Sequence, residues 1–421
     1  MTFQKPKGTN DFYPDDFAVR ERIFNILKAV AQRYNFRQIE SPAFESLDLL
    51  TRKEGEEIKQ QIFTLDKRGD EQFGLRFDLT IPAARMFISI QKSAPKPVKW
   101  FFLSRMWRYE QPQQGRLREF YQFSCECFGS SKQEADAEIL SLAIDSLLAI
   151  GLKKGDFVVR LNSRKLLEGI LSGLVEKRDL PDVIKVIDRK AKISVNEFNS
   201  ELKKAGLDSK SVEKLSRILS INDIQEIELE NDKIREAVSE INSILNLLGD
   251  KKEFVRLDLS TARGLAYYTG TVFEIFDSNG KYRSIAGGGR YDNLVELLGG
   301  QPAPATGFAI GYATLQLILK DKGLIPENDL APDYFIAVVG DDVKEKALEI
   351  ASKLRKKYSV EIDICSRNLG SQMQFANTIK AKKVIIVGKR ELAEGKVTVK
   401  DMVSGEEKRV SVDRINSLPQ P

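Results

Sequence analysis

Histidine is missing altogether from the 421 residues of this chain. Its absence removes the one side chain that ordinarily titrates near neutral pH, and with it the commonest metal ligand. Hydrolase triads built on histidine and most zinc sites are thereby excluded. Chemistry begun by a carboxylate already ionised at pH 7 is not. Cysteine is scarce as well. Cys125, Cys127 and Cys365 are too few and too unevenly placed for a disulfide framework. Cys125 and Cys127 have no further Cys or His to complete a metal set, so no metal site is expected and both read as small buried strand residues. No apolar run approaches the roughly 20 residues needed to cross a bilayer. The opening MTFQKPKGTNDFYPDD lacks the basic-then-apolar pattern of a signal peptide. A cytoplasmic protein without a membrane partner is expected.

What the chain does contain describes a soluble globular protein of two or three domains, with 42% hydrophobic and 30% charged residues. The net charge of +5 is slight, but its distribution is uneven. Residues 331–421 carry 17 Lys and Arg against 13 Asp and Glu, which leaves the rest of the chain nearly balanced. A basic excess on one terminal module suits contact with nucleic acid, and equally suits a solvated surface.

Periodicity predicts a helix over about 16–34, and a strand in FRQIESPAFES (Phe36 to Ser46) interrupted by Pro42. A hairpin is expected through Lys67–Asp70, followed by a helix from about Pro82. RFDLT (Arg76 to Thr80) reads as a strand with Asp78 and Thr80 on one face. A helix over Lys132–Leu152 and a strand over Phe157–Asn162 come next. Residues 163–250 change character, being rich in Lys, Glu, Leu and Ile and nearly free of aromatics, which predicts several short helices. Strand signals return in FVRLDLSTARGLAYYTGTVFEIFD, SIAGGGRYDNLVELLGG and PAPATGFAIGYATLQLILK. After a linker at Asp329–Asp333, strands and helices alternate as in an α/β module with a parallel or mixed sheet.

The most informative stretch is RMWRYEQPQQGRLREFYQFSCECFG, Arg105 to Gly129. It predicts an antiparallel hairpin, with strands Phe101–Glu110 and Phe120–Phe128 around a polar loop. Met106, Arg108 and Glu110 share one face, as do Gln122, Ser124 and Glu126 on the return strand. Tyr121, Phe123, Cys125 and Cys127 form the opposite, packing face. Charges at such positions are costly unless they are paired or bind a ligand. The guanidinium fork suits phosphate, and a carboxylate accepts from an amine or ring N–H. Four arginines against one acid between Arg105 and Arg118 favour an anionic ligand over a solvated, salt-bridged sheet.

WRYEQPQQGRLREFYQF resembles motif 2 of class II aminoacyl-tRNA synthetases, in the version carried by histidyl-tRNA synthetases. FRQIESPAFES is similar to class II motif 1. RGLAYYTGTVFE (Arg263 to Glu274) resembles the signature of the histidyl enzymes, and AGGGRYDNL (Ala286 to Leu294) also matches. LGSQMQFAN (Leu369 to Asn377) and GKRELAEGKVTVKDM resemble their anticodon-binding domain. The resemblance spans nearly the whole chain. It implies an α+β fold, with a class II antiparallel-sheet catalytic domain at 1–162 and 251–325. A helical insertion at 163–250 and an α/β anticodon-binding domain at 331–421 complete it. It also implies a homodimer through motif 1.

The implied reaction joins histidine to ATP as histidyl-adenylate, then moves the acyl group to the 3′ end of histidine tRNA. Mg2+ would come bound to ATP. By resemblance Arg108 and Arg263 are the catalytic cations, and Arg108, Glu110 and Arg116 bind ATP. Asp78, Thr80, Gln122, Glu126, Tyr267 and Tyr268 hold histidine, with Glu126 and Tyr268 on its imidazole. Gln113 and Gln114 touch the tRNA acceptor end. The resemblance gives the missing histidine a further reading, since an enzyme without it can be translated when charged histidine tRNA is scarce.

Two segments depart from the family pattern. Ala313 and Thr314 stand where a Glu and then an ATP-binding Arg usually follow Gly311, and Ala266 replaces the acid of the tyrosine motif. Thr supplies neither a cation nor a planar stack. The departures keep open a catalytically silent paralogue. One form would be a histidine-sensing regulatory subunit, of the kind that serves an ATP phosphoribosyltransferase, and another a tRNA sensor.

Overall fold

In the computed structural model, residues 3–52, 56–67, 69–190, 193–261, 268–327 and 330–418 are described. The chain divides into two compact units, residues 1–326 and 327–421.

The strands are β1 (Arg37–Gln38), β2 (Phe44–Ser46), β3 (Phe73–Leu75), β4 (Val98–Trp107), β5 (Glu119–Phe128), β6 (Phe157–Ser163) and β7 (Val255–Leu257). Then come β8 (Thr271–Asp277), β9 (Ala286–Arg290) and β10 (Ala305–Gly311). Eight of them form one sheet in the order β1-β4-β5-β10-β9-β8-β6-β7. Only the two outermost pairings are parallel, and every pairing from β4 to β6 is antiparallel. The expected antiparallel-sheet catalytic fold is therefore present.

Alternation along β4 and β5 sorts the two faces of this sheet. Phe101, Phe123, Cys125 and Cys127 join a core with the helices Pro14–Arg33 and Gln133–Ile150. The first helix offers Ile23, Phe24, Leu27, Val30 and Ala31 at helical spacing, and Pro14 occupies its first turn, where a missing N–H costs nothing. Each fully buried Phe contributes about 1.5–3 kcal/mol. The thiols of Cys125 and Cys127 are pushed up by burial, that of Cys127 to about 12. Cys365 is exposed. The other face of β5 carries Gln122, Ser124 and Glu126, all buried, between Phe102 and Met106 of β4 and the helix Thr80–Ile90.

Two local expectations are corrected. Arg76–Leu79 is not strand, so Asp78 and Thr80 do not share a strand face. Thr80 opens the helix Thr80–Ile90, because the Asp78 carboxylate accepts from the N–H of Thr80 (2.7 Å) and of Ile81 (3.4 Å), and Pro82 fits the first turn. Strand β4 ends at Trp107, which leaves Arg108 and Glu110 beyond it. There the Arg76 carbonyl accepts from Trp107, and the Arg118 carbonyl from Arg108.

Between β6 and β7 the chain runs through five α-helices, Arg164–Leu171, Leu180–Asp188, Val195–Lys204, Ser209–Ile218 and Asp232–Leu247. Four start on a capping side chain, Ser163, Ser194, Asp208 or Asn231, that accepts from the N–H three residues on. Each such cap contributes about 1 kcal/mol.

In the second unit, β11 (Tyr334–Val339), β12 (Val360–Ile362), β13 (Lys383–Gly388), β14 (Lys396–Asp401) and β15 (Glu407–Ser411) line up as β12-β11-β13-β14-β15. The first three strands are parallel and the last two run as an antiparallel hairpin, so the sheet is mixed.

Candidate active site

Strand β5 carries the centre of the site. Its register sets Glu126 beside Trp100 of β4 and Gly307 of β10, in the middle of the sheet. The carboxylate is 1% exposed and accepts from the Thr80 hydroxyl at 2.9 Å and from the Tyr291 hydroxyl in a short hydrogen bond. Burial pushes Glu126 up to about 8, and the negative charge of Asp78 adds to the rise, against the two hydroxyl donors. Thus at pH 7 this carboxyl is mainly protonated when no ligand faces it. A group held so far from its ordinary value in a polar recess is a binding-site candidate.

Gly307 forms the floor beneath the carboxylate. A Cβ there would overlap Glu126 Oε2 and the Cys125 carbonyl oxygen and lie 2.8 Å from the Tyr291 hydroxyl. Tyr268 is buried, and its ring meets that of Tyr291 edge-on at 6.4 Å. Gln122 lies farther along the same face of β5 and donates to Ser124 Oγ at 3.0 Å. The structure thus gathers Asp78, Thr80 and Glu126 through direct hydrogen bonds and near charges.

Arg108 reaches this group through the backbone, donating from Nε to the Phe77 carbonyl at 3.0 Å, next to Asp78. Arg76 fixes the same loop from the other side, giving its guanidinium to Ser41, Pro42 and the Arg105 carbonyl. Arg76 thereby ties the Ser41–Pro42 segment to β4 at Arg105.

Between β4 and β5, Gln113 and Arg116 exchange backbone hydrogen bonds of 3.0 and 2.9 Å around Gln114 and Gly115. Gly115 has φ +76°, which suits glycine in so tight a turn. Gln113 and Gln114 are exposed at the tip. Glu110 is buried and ion-paired with Arg116, so two residues expected to contact ATP face each other. Arg263 and Tyr267 lie outside the described residues.

Sequence reasoning missed Tyr291 and the role of Arg290. Arg290 pairs with the buried Asp136 (2.8 Å) and with Asp292 (3.0 Å), and donates to the carbonyls of Ser130 and Lys132. All its donors are spent on protein, so it holds the helix Gln133–Ile150 against the sheet. Tyr291 directly follows, one position past the end of β9. No residue pattern revealed that its hydroxyl crosses to β5.

Residues 8–315 match the family model for histidyl-tRNA synthetase, and residues 333–418 match that for an anticodon binding domain. The chain belongs to the histidyl-tRNA synthetase family. It is 41% identical over 414 residues to the histidine–tRNA ligase of Haloarcula marismortui, covering 96% of this chain and 95% of that one. To the Pyrococcus furiosus histidine–tRNA ligase it is 39% identical over 423 residues, covering 98% and 97%. The crystal structure of histidyl-tRNA synthetase from a Nostoc species superposes with a TM-score of 0.80 at 26% identity, over 99% of both chains. In this chain the Glu126–Tyr291 contact, the Thr80 donor and the glycine floor lie together on the central strands.

Proposed function

We propose that this chain activates histidine with ATP and transfers it to the 3′ end of histidine tRNA. The observation that carries the reading is the buried Glu126 carboxyl, set among Thr80, Asp78 and Tyr291 in the sheet of a histidyl-tRNA synthetase fold. A carboxyl poised near neutrality and shielded from water matches an imidazole, which itself exchanges a proton near that pH. A side chain without an N–H would offer the buried carboxyl no donor of its own, which disfavours isosteres.

In the first step the histidine carboxylate attacks the α-phosphorus of ATP. The new P–O bond gives histidyl-adenylate as pyrophosphate leaves with the electrons of the broken bond. Negative charge builds on the phosphoryl oxygens, and Arg108 with Arg263 would stabilise it. Asp78 would take the ammonium of histidine, Thr80 and Gln122 its polar backbone end, and Glu126 with Tyr267 and Tyr268 its ring. Glu110 and Arg116 would part from each other to hold ATP. In the second step a hydroxyl of the terminal adenosine attacks the acyl carbon and AMP departs. Gln113 and Gln114, exposed on the hairpin tip, would touch the acceptor end.

Among the described residues no group of three or more carboxylates or thiols is placed to hold a metal ion. Mg2+ would arrive on the triphosphate oxygens, where it offsets their charge. We further read residues 1–162 and 251–325 as the catalytic domain, 163–250 as a helical insertion and 331–421 as the anticodon-binding domain. The protein is expected to work as a cytoplasmic homodimer.

Histidine-dependent ATP–pyrophosphate exchange tests the reading. Exchange with histidine alone, lost by about a hundredfold or more in Arg263→Ala, supports it. Histidine binding without exchange would instead identify a silent, histidine-sensing relative.

A further inference from the structure

By resemblance the family arginine is missing at Thr314, which leaves the ATP site short of a cation, and a cationic wall faces that position. A cavity of about 270 Å³ lies between three segments of the first unit. One wall is the β4–β5 turn with Gln113, Gln114 and Gly115. The second is the first half of the helix Tyr312–Asp321, with Thr314 and Leu317. The third is the β8–β9 connection, which contributes Lys281 and Arg283.

Thr314 is buried and faces the turn. Its Oγ1 lies 3.2 Å from where a Cβ on Gly115 would sit. An arginine at position 314 would therefore project toward this same cavity. The sheet brings the third wall alongside. Ala286 pairs with Ile310, and Gly311 donates to the Ile285 carbonyl at 3.0 Å, so the residues just before β9 run beside the start of the helix.

The two cations on that wall are not equivalent. Lys281 is engaged along the helix, paired with Asp321 at 2.5 Å. Arg283 is exposed and makes no hydrogen bond or ion pair among the described residues, so its planar fork stays available. Thr314 on the second wall lies in the first turn of the ten-residue helix, near its positive end.

We propose that Arg283 is an ATP-binding residue that replaces the family arginine, contacting the polyphosphate tail from the β8–β9 connection instead of from the helix. This rests on the synthetase reading above. A nucleotide tail is favoured over the tRNA end for two reasons. At about 270 Å³ the cavity falls below the usual size of a whole-ligand site. The turn that walls it also leads directly in sequence into Arg116, the partner of Glu110.

Exchange without tRNA, with ATP varied at saturating histidine, is the test. Arg283→Ala should raise the KM for ATP about tenfold or more and leave that for histidine within twofold. Arg283→Lys should recover less than half of the loss, because a point charge cannot grip two oxygens. Thr314→Arg placed in the Arg283→Ala background should restore ATP use. An unchanged KM for ATP in Arg283→Ala would overturn the proposal. A rise in the KM for tRNA alone would overturn it too and assign the cavity to the acceptor end. Equilibrium dialysis of ATP against wild type and Arg283→Ala separates this inference from the synthetase reading. If wild type lacks exchange, a tenfold loss of ATP binding in the variant still upholds Arg283, and equal binding refutes it.

Discussion

Replacing Glu126 by Gln should damage histidine use and yet stabilise the empty protein, with a pH dependence fixed by the recess. The unfolded carboxyl titrates near 4.5 and the folded one at about 8, because burial and the charge of Asp78 outweigh the hydroxyls of Tyr291 and Thr80. Between those values the folded state holds a proton that the unfolded state has released. Stability therefore falls as pH rises from 4.5 to 8 and is level above that. A gap of about 3.5 at 1.36 kcal/mol each gives about 5 kcal/mol as the upper limit of the loss. Gln carries no charge and escapes it. Urea unfolding of wild type and Glu126→Gln at pH 5, 7 and 8.5 should show the variant gaining on wild type by several kcal/mol across the series. Histidine should then stabilise wild type at pH 8.5 and scarcely affect the variant. The variant's KM for histidine in exchange should rise roughly 10–150-fold, the value of hydrogen bonds to a charged group. A stability difference that stays constant with pH would refute the reasoning, since it would mean that Glu126 is ionised in the empty fold.

Gly307→Ala places a methyl group against Glu126 and the Cys125 carbonyl, and should abolish measurable histidine-dependent exchange. Gly311→Ala, whose Cβ meets nothing within 4 Å, should leave exchange within a few-fold of wild type in the same assay. Asp136→Asn leaves the buried Arg290 without its main counter-charge and should cost about 3 kcal/mol in urea unfolding, with the KM for histidine nearly unchanged.

Much of the fold was legible because the hydrophobic pattern and the geometry agree. The alternation of Phe123, Cys125 and Cys127 against Gln122, Ser124 and Glu126 announced which face joins the apolar core and which carries buried polar groups. Where one polar contact decides, the pattern misleads. RFDLT alternates like a strand, but the Asp78 carboxylate captures the N–H of Thr80 and starts a helix. Arg108 and Glu110 looked like strand residues, yet β4 gives out at Trp107, where bonding turns to Arg76. The site was legible only within a segment. Glu126 stood out as an acid among strand residues, whereas its partner Tyr291 lies 165 positions away and meets it through the order of β5, β10 and β9. Arg290 had no role assigned beside its glycines, and only the placement of Asp136, Asp292 and two carbonyls shows that its donors are taken. Arg283 had no motif to mark it, since its interest comes from the wall opposite Thr314.

The thiols have a practical use that follows from where they lie. Cys125 and Cys127 are sealed within the sheet with their thiolates suppressed, while Cys365 stands on the surface of the second unit. A maleimide dye added to the unaltered native protein should attach at one position alone. The wild-type chain is thus its own singly labelled probe, whose fluorescence on that unit can follow RNA docking with no cysteine removed or introduced.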